Sequence, residues 1–260
     1  MVVPDGPITS VNRRGRRWLR WSIVVWLCSW VSASLAMTPP QPSVPPHSQG
    51  TTFKISDGVW ITAKHVALDC RSMAIGEDQM LPVDEVVAHP TADLALLITP
   101  VDASVSSLEM TKGSPEPDDL SVLYGYPQSV AIDLKQRFIG SRTQRFRLSG
   151  RRSVSQNVSV WSEITRYPTR DERSLKGASG APVLAYDGRL VGVHIASVPR
   201  RGRTLSIHTD LLNQFLTEQK VSPAQSSAAV QPMSQSAPMW LINGAELRAF
   251  GTIAKALCWF

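Results

Sequence analysis

The heptapeptide Gly177-Ala178-Ser179-Gly180-Ala181-Pro182-Val183 sets a hydroxyl between two glycines and then runs into a proline-led apolar segment. Glycine lets the backbone turn sharply and lets a substrate carbonyl come close to main-chain N–H groups, so a serine held there suits a nucleophile. Alone, Gly-x-Ser-Gly also occurs in ordinary turns. Two upstream segments give it meaning. Trp60-Ile61-Thr62-Ala63-Lys64-His65-Val66 ends a β-patterned run on a histidine, and His89-Pro90-Thr91-Ala92-Asp93-Leu94-Ala95-Leu96-Leu97 leads an acid into an apolar run. A serine hydroxyl is a poor nucleophile until an imidazole takes its proton, and that imidazole needs a carboxylate to fix its tautomer. Ser179, His65 and Asp93 supply the three groups.

The order His65, Asp93, Ser179, each in that setting, resembles the chymotrypsin-like serine peptidases, in particular their compact, disulfide-poor bacterial branch, over roughly residues 48–218. Thr62-Ala63-Lys64-His65, Ala92-Asp93-Leu94-Ala95-Leu96-Leu97 and Gly177-Ala178-Ser179-Gly180-Ala181-Pro182 carry the resemblance. It implies an all-β fold of two antiparallel β-barrels of the chymotrypsin-like type with a short C-terminal helix. It also implies a serine endopeptidase that works through an acyl-enzyme and needs no cofactor. In those terms Ser179 is the nucleophile, His65 the general base and then acid, and Asp93 the group that orients it. The N–H groups of Gly177 and Ser179 form the oxyanion hole. The separations of 28 and 86 positions between the three residues fit a chain without long surface loops. His89 is a weaker candidate for the base, because it precedes the acid and lacks the Thr-Ala-x-His setting. The alternative is a non-catalytic or zymogen-like binding module on the same fold, which would ordinarily have lost part of the triad.

Substrate preference turns on Gly192-Val193-His194. The pattern has some resemblance to glutamyl endopeptidases, in which an imidazole on this strand floors the pocket beside the cleaved bond, and Ser197 matches a pocket serine of some members. An imidazole with a hydroxyl, and with Lys176 nearby, would bind a glutamate carboxylate or a glutamine amide. The other reading makes His194 a buried, hydrogen-bonded strand residue. Ala196 and Ser197 depart from the glycine-bearing wall of those enzymes.

Alternating stretches separated by Asp57-Gly58 and Asp187-Gly188 predict hairpins, the first of which delivers His65 at its end. Strands are expected over 80–87, 94–98, 121–127, 136–147, 158–164, 183–186, 189–195 and 204–207. This grouping places a first barrel at about 50–112, a second at about 119–209, and a helix at about 210–218 capped by Asp210, together a protease domain over 50–218.

Residues 1–36 combine Arg13, Arg14, Arg16, Arg17 and Arg20 with an uncharged apolar run from Trp21, and read as a signal peptide cleaved after Ala36 or Ala33, or as an uncleaved signal-anchor. An exported protein, periplasmic or secreted, follows from the first reading and a membrane-anchored one from the second. The 27 Lys and Arg and 21 Asp and Glu of the whole chain drop to 22 and 20 beyond residue 36, so the formal charge of +6 is mostly a targeting feature. Polypeptide substrates are therefore expected and nucleic acid is not, and the arginines between 137 and 152 read as a solvated face. No cysteine and histidine cluster has metal-ligand spacing, and the protein is expected to be a monomer. A Pro-rich linker spans 37–49, a flexible Ser, Ala, Gln and Pro linker 219–238, and an apolar segment with interspersed charges 239–260, to which the sequence gives no role. Cys70 and Cys258 either pair in an oxidising compartment or stay as thiols.

Overall fold

The computed structural model describes residues 45–76, 80–101, 105–147, 153–169, 174–223 and 239–260. The export segment, most of the Pro-rich linker and the greater part of the 219–238 linker lie outside these residues. Two β-assemblies follow one another along the chain. The first is built from β1 (Ser48–Ser56), β2 (Val59–Thr62), β3 (Ser72–Ile75), β4 (Leu81–Pro82), β5 (Glu85–Ala88) and β6 (Ala95–Ile98), with the single-turn helix α1 (Lys64–Ala67) directly after β2. The second holds β7 (Leu120–Gly125), β8 (Ile132–Arg147), β9 (Ser153–Tyr167), β10 (Pro182–Ala185), β11 (Leu190–Val198) and β12 (Arg203–His208). The helices α2 (Thr209–Glu218) and α3 (Met239–Ala249) and a last strand, β13 (Ile253–Trp259), follow.

The second assembly is a closed six-stranded barrel in the order β10-β11-β12-β9-β8-β7. Its interior is filled by Leu123, Leu134, Phe138, Trp161, Val183 and Val191. Both predicted Asp-Gly turns are present: Gly58 and Gly188 have φ of 70° and 83°, which is the left-handed geometry a tight hairpin demands. Strands β8 and β9 run longer than their apolar patterns suggest, as a ribbon whose outer end is polar. Arg137, Arg142 and Arg145 on it are exposed, as expected of a solvated face.

The first assembly is a seven-stranded half-barrel sheet in the order β4-β3-β13-β1-β2-β6-β5, so the expected all-β, two-barrel architecture is present with one barrel closed and the other open. The C-terminal segment is thus a central strand. It pairs antiparallel with β1 from Ser48↔Cys258 to Phe53↔Ile253, and with β3 from Ala256↔Ile75 to Trp259↔Ser72. Ile253, Ala256 and Cys258 are fully buried. Cys70 and Cys258 are joined in a disulfide that ties this strand to the segment just after α1. The α3 helix leads into it while leaning on the other assembly, where Arg248 Nη1 donates to Asp133 Oδ1 at 2.7 Å. Burial pushes the Asp133 carboxyl up, and Arg248 pulls it back down.

One predicted cap is corrected. Helix α2 begins at Thr209 with His208 in the capping position and no side-chain cap bond, so Asp210 lies inside the first turn. There its charge favours the helix N-terminus without capping it. Leu212, Phe215 and Leu216 are buried, as their spacing predicts. Among the described residues, no helix is long and apolar enough to cross a membrane.

Candidate active site

His65 is carried on α1, where β2 ends. The Asp93 carboxylate grips it twice: Oδ1 accepts the His65 backbone N–H at 2.9 Å, and Oδ2 lies 2.7 Å from Nδ1. The Asp93 side chain is 7% exposed and that of His65 42%, so the acid is sealed behind an imidazole whose other edge is open to solvent. A hydrogen-bonded carboxylate in that position fixes which ring nitrogen keeps its proton.

Asp93 is held by residues that no local pattern announced. Its backbone N–H donates to Gln156 Oε1 at 2.9 Å, a reach of 63 positions from β9 of the second assembly. His89, weighed above as a possible base, is a buried support for the turn that presents Asp93. Its Nδ1 accepts the N–H groups of Thr91 and Ala92 at 3.1 and 2.8 Å, its ring meets Phe215 edge-on, and burial lowers its pKa.

Ser179 sits in the loop before β10, half-buried. A Cβ at Gly180 would run into Thr51 O and Thr62 Oγ1 and come within 2.9 Å of Ala63 N, so only glycine lets the loop press against the strand end that launches α1. This contact puts Ser179 one residue from a point beside Ala63, two residues ahead of His65. The charge of His65 is also felt at His194, whose main chain clasps the same loop: Gly180 N–H donates to His194 O at 2.7 Å and His194 N–H to Ala181 O at 2.8 Å. His65, Asp93, Ser179 and His194 thus converge between the two assemblies.

The loop's own hydrogen bonds define what it offers a ligand. Ala178 N–H donates to Leu175 O, Gly180 N–H to His194 O, and Ala181 N–H to Ala178 O. Among the described residues, the N–H groups of Gly177 and Ser179 alone in this run have no hydrogen-bond partner. Two unpaired N–H groups flanking a turn are what a developing oxyanion requires.

The pocket candidates part company. His194 is 1% exposed, on β11, with Nδ1 unpartnered among the described residues. Burial first, and then the charge of His65, push its pKa down to about 3, against a weaker pull from a hydrogen bond at the Leu205 backbone. It is therefore neutral at physiological pH. Ser197 lies three residues further along the same strand, half-buried and opposite Thr204, while Lys176 is exposed on the Ser179 loop. No group of acids, histidines or cysteines among the described residues is arranged to hold a metal ion.

The buried neutral imidazole has a consequence for stability. In the unfolded chain this histidine protonates below its ordinary 6.5, and in the folded chain only near 3. Between those values the unfolded state binds the extra proton, so stability falls as pH falls, by about 1.4 kcal/mol per pH unit from this group. Urea midpoints measured from pH 7 to 4 are expected to drop more steeply for the wild type than for His194→Gln; parallel profiles would contradict the assignment.

The family of the trypsin-like peptidase domain matches residues 50–193, more than half of the chain. Among solved structures, the Rv3671c protease of M. tuberculosis in its active form is 18% identical with a TM-score of 0.54, over 71% of this chain and 78% of that one. The inactive form of the same protease is 18% identical with a TM-score of 0.51, over 65% of this chain and 82% of that one. At this identity the likeness is one of fold. No curated protein matches the sequence.

Proposed function

Because the chain belongs to the family of the trypsin-like peptidase domain and is a serine-type peptidase, we propose that it is an endopeptidase whose triad is His65, Asp93 and Ser179. The observation that carries this reading is the double grip of Asp93 on His65, with Nδ1 at 2.7 Å, beside a serine loop whose two free N–H groups meet no acceptor among the described residues. His65 Nε2 takes the Ser179 proton as Oγ attacks the scissile carbonyl. The carbonyl oxygen, now negative, is met by the N–H groups of Gly177 and Ser179. The imidazolium gives its proton to the leaving amine, and an acyl-enzyme remains on Ser179. Water, deprotonated by the same imidazole, then releases it.

For the residue before the cleaved bond, glutamate or glutamine is the proposed preference. His194 supports it as a neutral imidazole whose Nδ1 is unpartnered among the described residues and whose main chain clasps the Ser179 loop, and Lys176, exposed on that loop, would add positive charge. With the proton of the neutral ring held at the Leu205 backbone, Nδ1 accepts: a glutamine amide N–H would donate to it, whereas a glutamate carboxylate would have to draw a proton onto it. Export is part of the proposal, since a disulfide between Cys70 and Cys258 suits an oxidising compartment.

The test is reaction of the full chain with a fluorophosphonate, with the adduct located by mass spectrometry, followed by reporter peptides bearing Glu, Gln, Lys or Phe before the scissile bond. An adduct on Ser179, with the Glu and Gln reporters cleaved at least tenfold faster than the others, is expected. A folded protein that stays unlabelled removes the endopeptidase reading, and equal cleavage of all four reporters removes only the preference.

A further inference from the structure

Two peptide planes flank Gly177, and each is tied by its carbonyl to another part of the fold. Lys176 O accepts the Gln128 N–H at 2.9 Å, and Gly177 O accepts the Thr51 hydroxyl at 3.0 Å. In a trans peptide the N–H points opposite to the C=O. Holding Lys176 O against Gln128 therefore turns the Gly177 N–H away from the turn Pro127–Ser129, and a flip there would put a carbonyl where the N–H now is. Gly177 itself has a φ of 98°, which lets the loop take this shape.

Thr51 lies behind both ties. Its hydroxyl, while donating to Gly177 O, accepts the Tyr126 N–H at 3.0 Å and so fixes the residue from which the Gln128 turn starts. Its own N–H donates to Ser179 O at 2.8 Å. Thr51 is fully buried, so no exchange with bulk water can replace these bonds. The turn it anchors is strained: Gln128 and Ser129 have φ of 51° and 66°, and a residue other than glycine gives up about 1 kcal/mol or more in that region. Such a turn persists only when its surroundings hold it.

We propose that Thr51 is a positioning residue whose hydroxyl locks the 176–179 loop with the Gly177 and Ser179 N–H groups turned toward the substrate oxygen. The inference rests on the reading of those two groups as the oxyanion hole. Thr51→Val keeps size and branching and removes only the hydroxyl, leaving Gly177 O and Tyr126 N–H without their partner.

Fluorophosphonate inactivation of the full chain reads the effect, because phosphonylation builds charge on the same oxygen. Thr51→Val is expected to lower kinact by about 10–100-fold with KI unchanged, and Thr51→Ser to return it to within about threefold of wild type. A merely structural role would reduce the fraction of reactive protein and leave the kinact of that fraction alone. Thr51→Val inactivated at the wild-type kinact overturns the proposal. Should it not fold, Thr51→Cys carries the same comparison, since a thiol is a weak donor, and an unchanged kinact there overturns the proposal equally. Ser179→Ala in parallel separates the two levels: labelling that survives it removes the underlying reading, whereas labelling lost in Ser179→Ala but unchanged in Thr51→Val removes only the role of Thr51.

Discussion

Ser179→Ala is expected to lower kcat by about a millionfold, and Asp93→Asn by about ten-thousandfold, with both proteins folded. The first removes the atom that attacks. The second acts through His65. Asp93 presents one oxygen to the His65 backbone N–H and the other to Nδ1, so both of its positions are acceptors. Asparagine has only one carbonyl oxygen to offer. If its amide nitrogen faces the backbone, two donors meet; if it faces Nδ1, that nitrogen must accept, and the ring proton moves to Nε2, the side that has to take the serine proton. The first arrangement costs a clash between two donors, so the second is favoured, and it disarms the base. Kinetics on the best reporter peptide, with circular dichroism as the fold control, check it. Activity of Asp93→Asn within about tenfold of wild type would mean that His65 does not depend on this carboxylate.

What the sequence makes legible here is short-range. Thr-Ala-x-His, the acid before an apolar strand, and the glycine-flanked serine each sit in fewer than ten residues, and the Asp-Gly turns mark hairpins by backbone geometry alone. The supports of the site are not of that kind. Gln156 reaches Asp93 across 63 positions and Thr51 reaches Gly177 across 126, and a polar residue on a β-strand carries no mark of which distant carbonyl or N–H it will meet. His89 shows the converse failure. Its closeness to Asp93 in sequence looks chemical, but its Nδ1 is occupied by two backbone N–H groups of the turn.

The last strand escaped for a different reason. A strand buried on both faces loses the alternation that marks a half-buried one, and its apolar run then reads equally well as a piece of helix. In β13 both sets, Ile253, Lys255 and Leu257 on one side and Ala256 and Cys258 on the other, are buried. Lys255 makes the run look amphipathic, yet its Nζ lies over the Tyr126 ring, 5.5 Å from the centroid. The segment also pairs with β1 from Ser48↔Cys258 and with β3 from Ala256↔Ile75, about two hundred positions away along the chain, a distance at which pairing is invisible to local pattern.

Deletion of residues 239–260 is therefore expected to abolish folding outright. Leu247, Ile253, Leu257 and Trp259 are each at most 8% exposed. At about 1.5–3 kcal/mol for each buried large side chain, their loss amounts to roughly 6–12 kcal/mol. A domain of this size has only about 5–15 kcal/mol of net stability to lose. Removing the strand also leaves the facing edges of β1 and β3 unpaired in the middle of a sheet, and takes away a disulfide of about 2–5 kcal/mol. Cys258→Ser isolates that last contribution, because the strand stays: it should fold, melt at a lower temperature, and retain fluorophosphonate labelling. The truncated chain should give no cooperative melt and no labelling. If it melts cooperatively and labels at the wild-type rate, β13 is an accessory to the first sheet and the catalytic geometry stands without it.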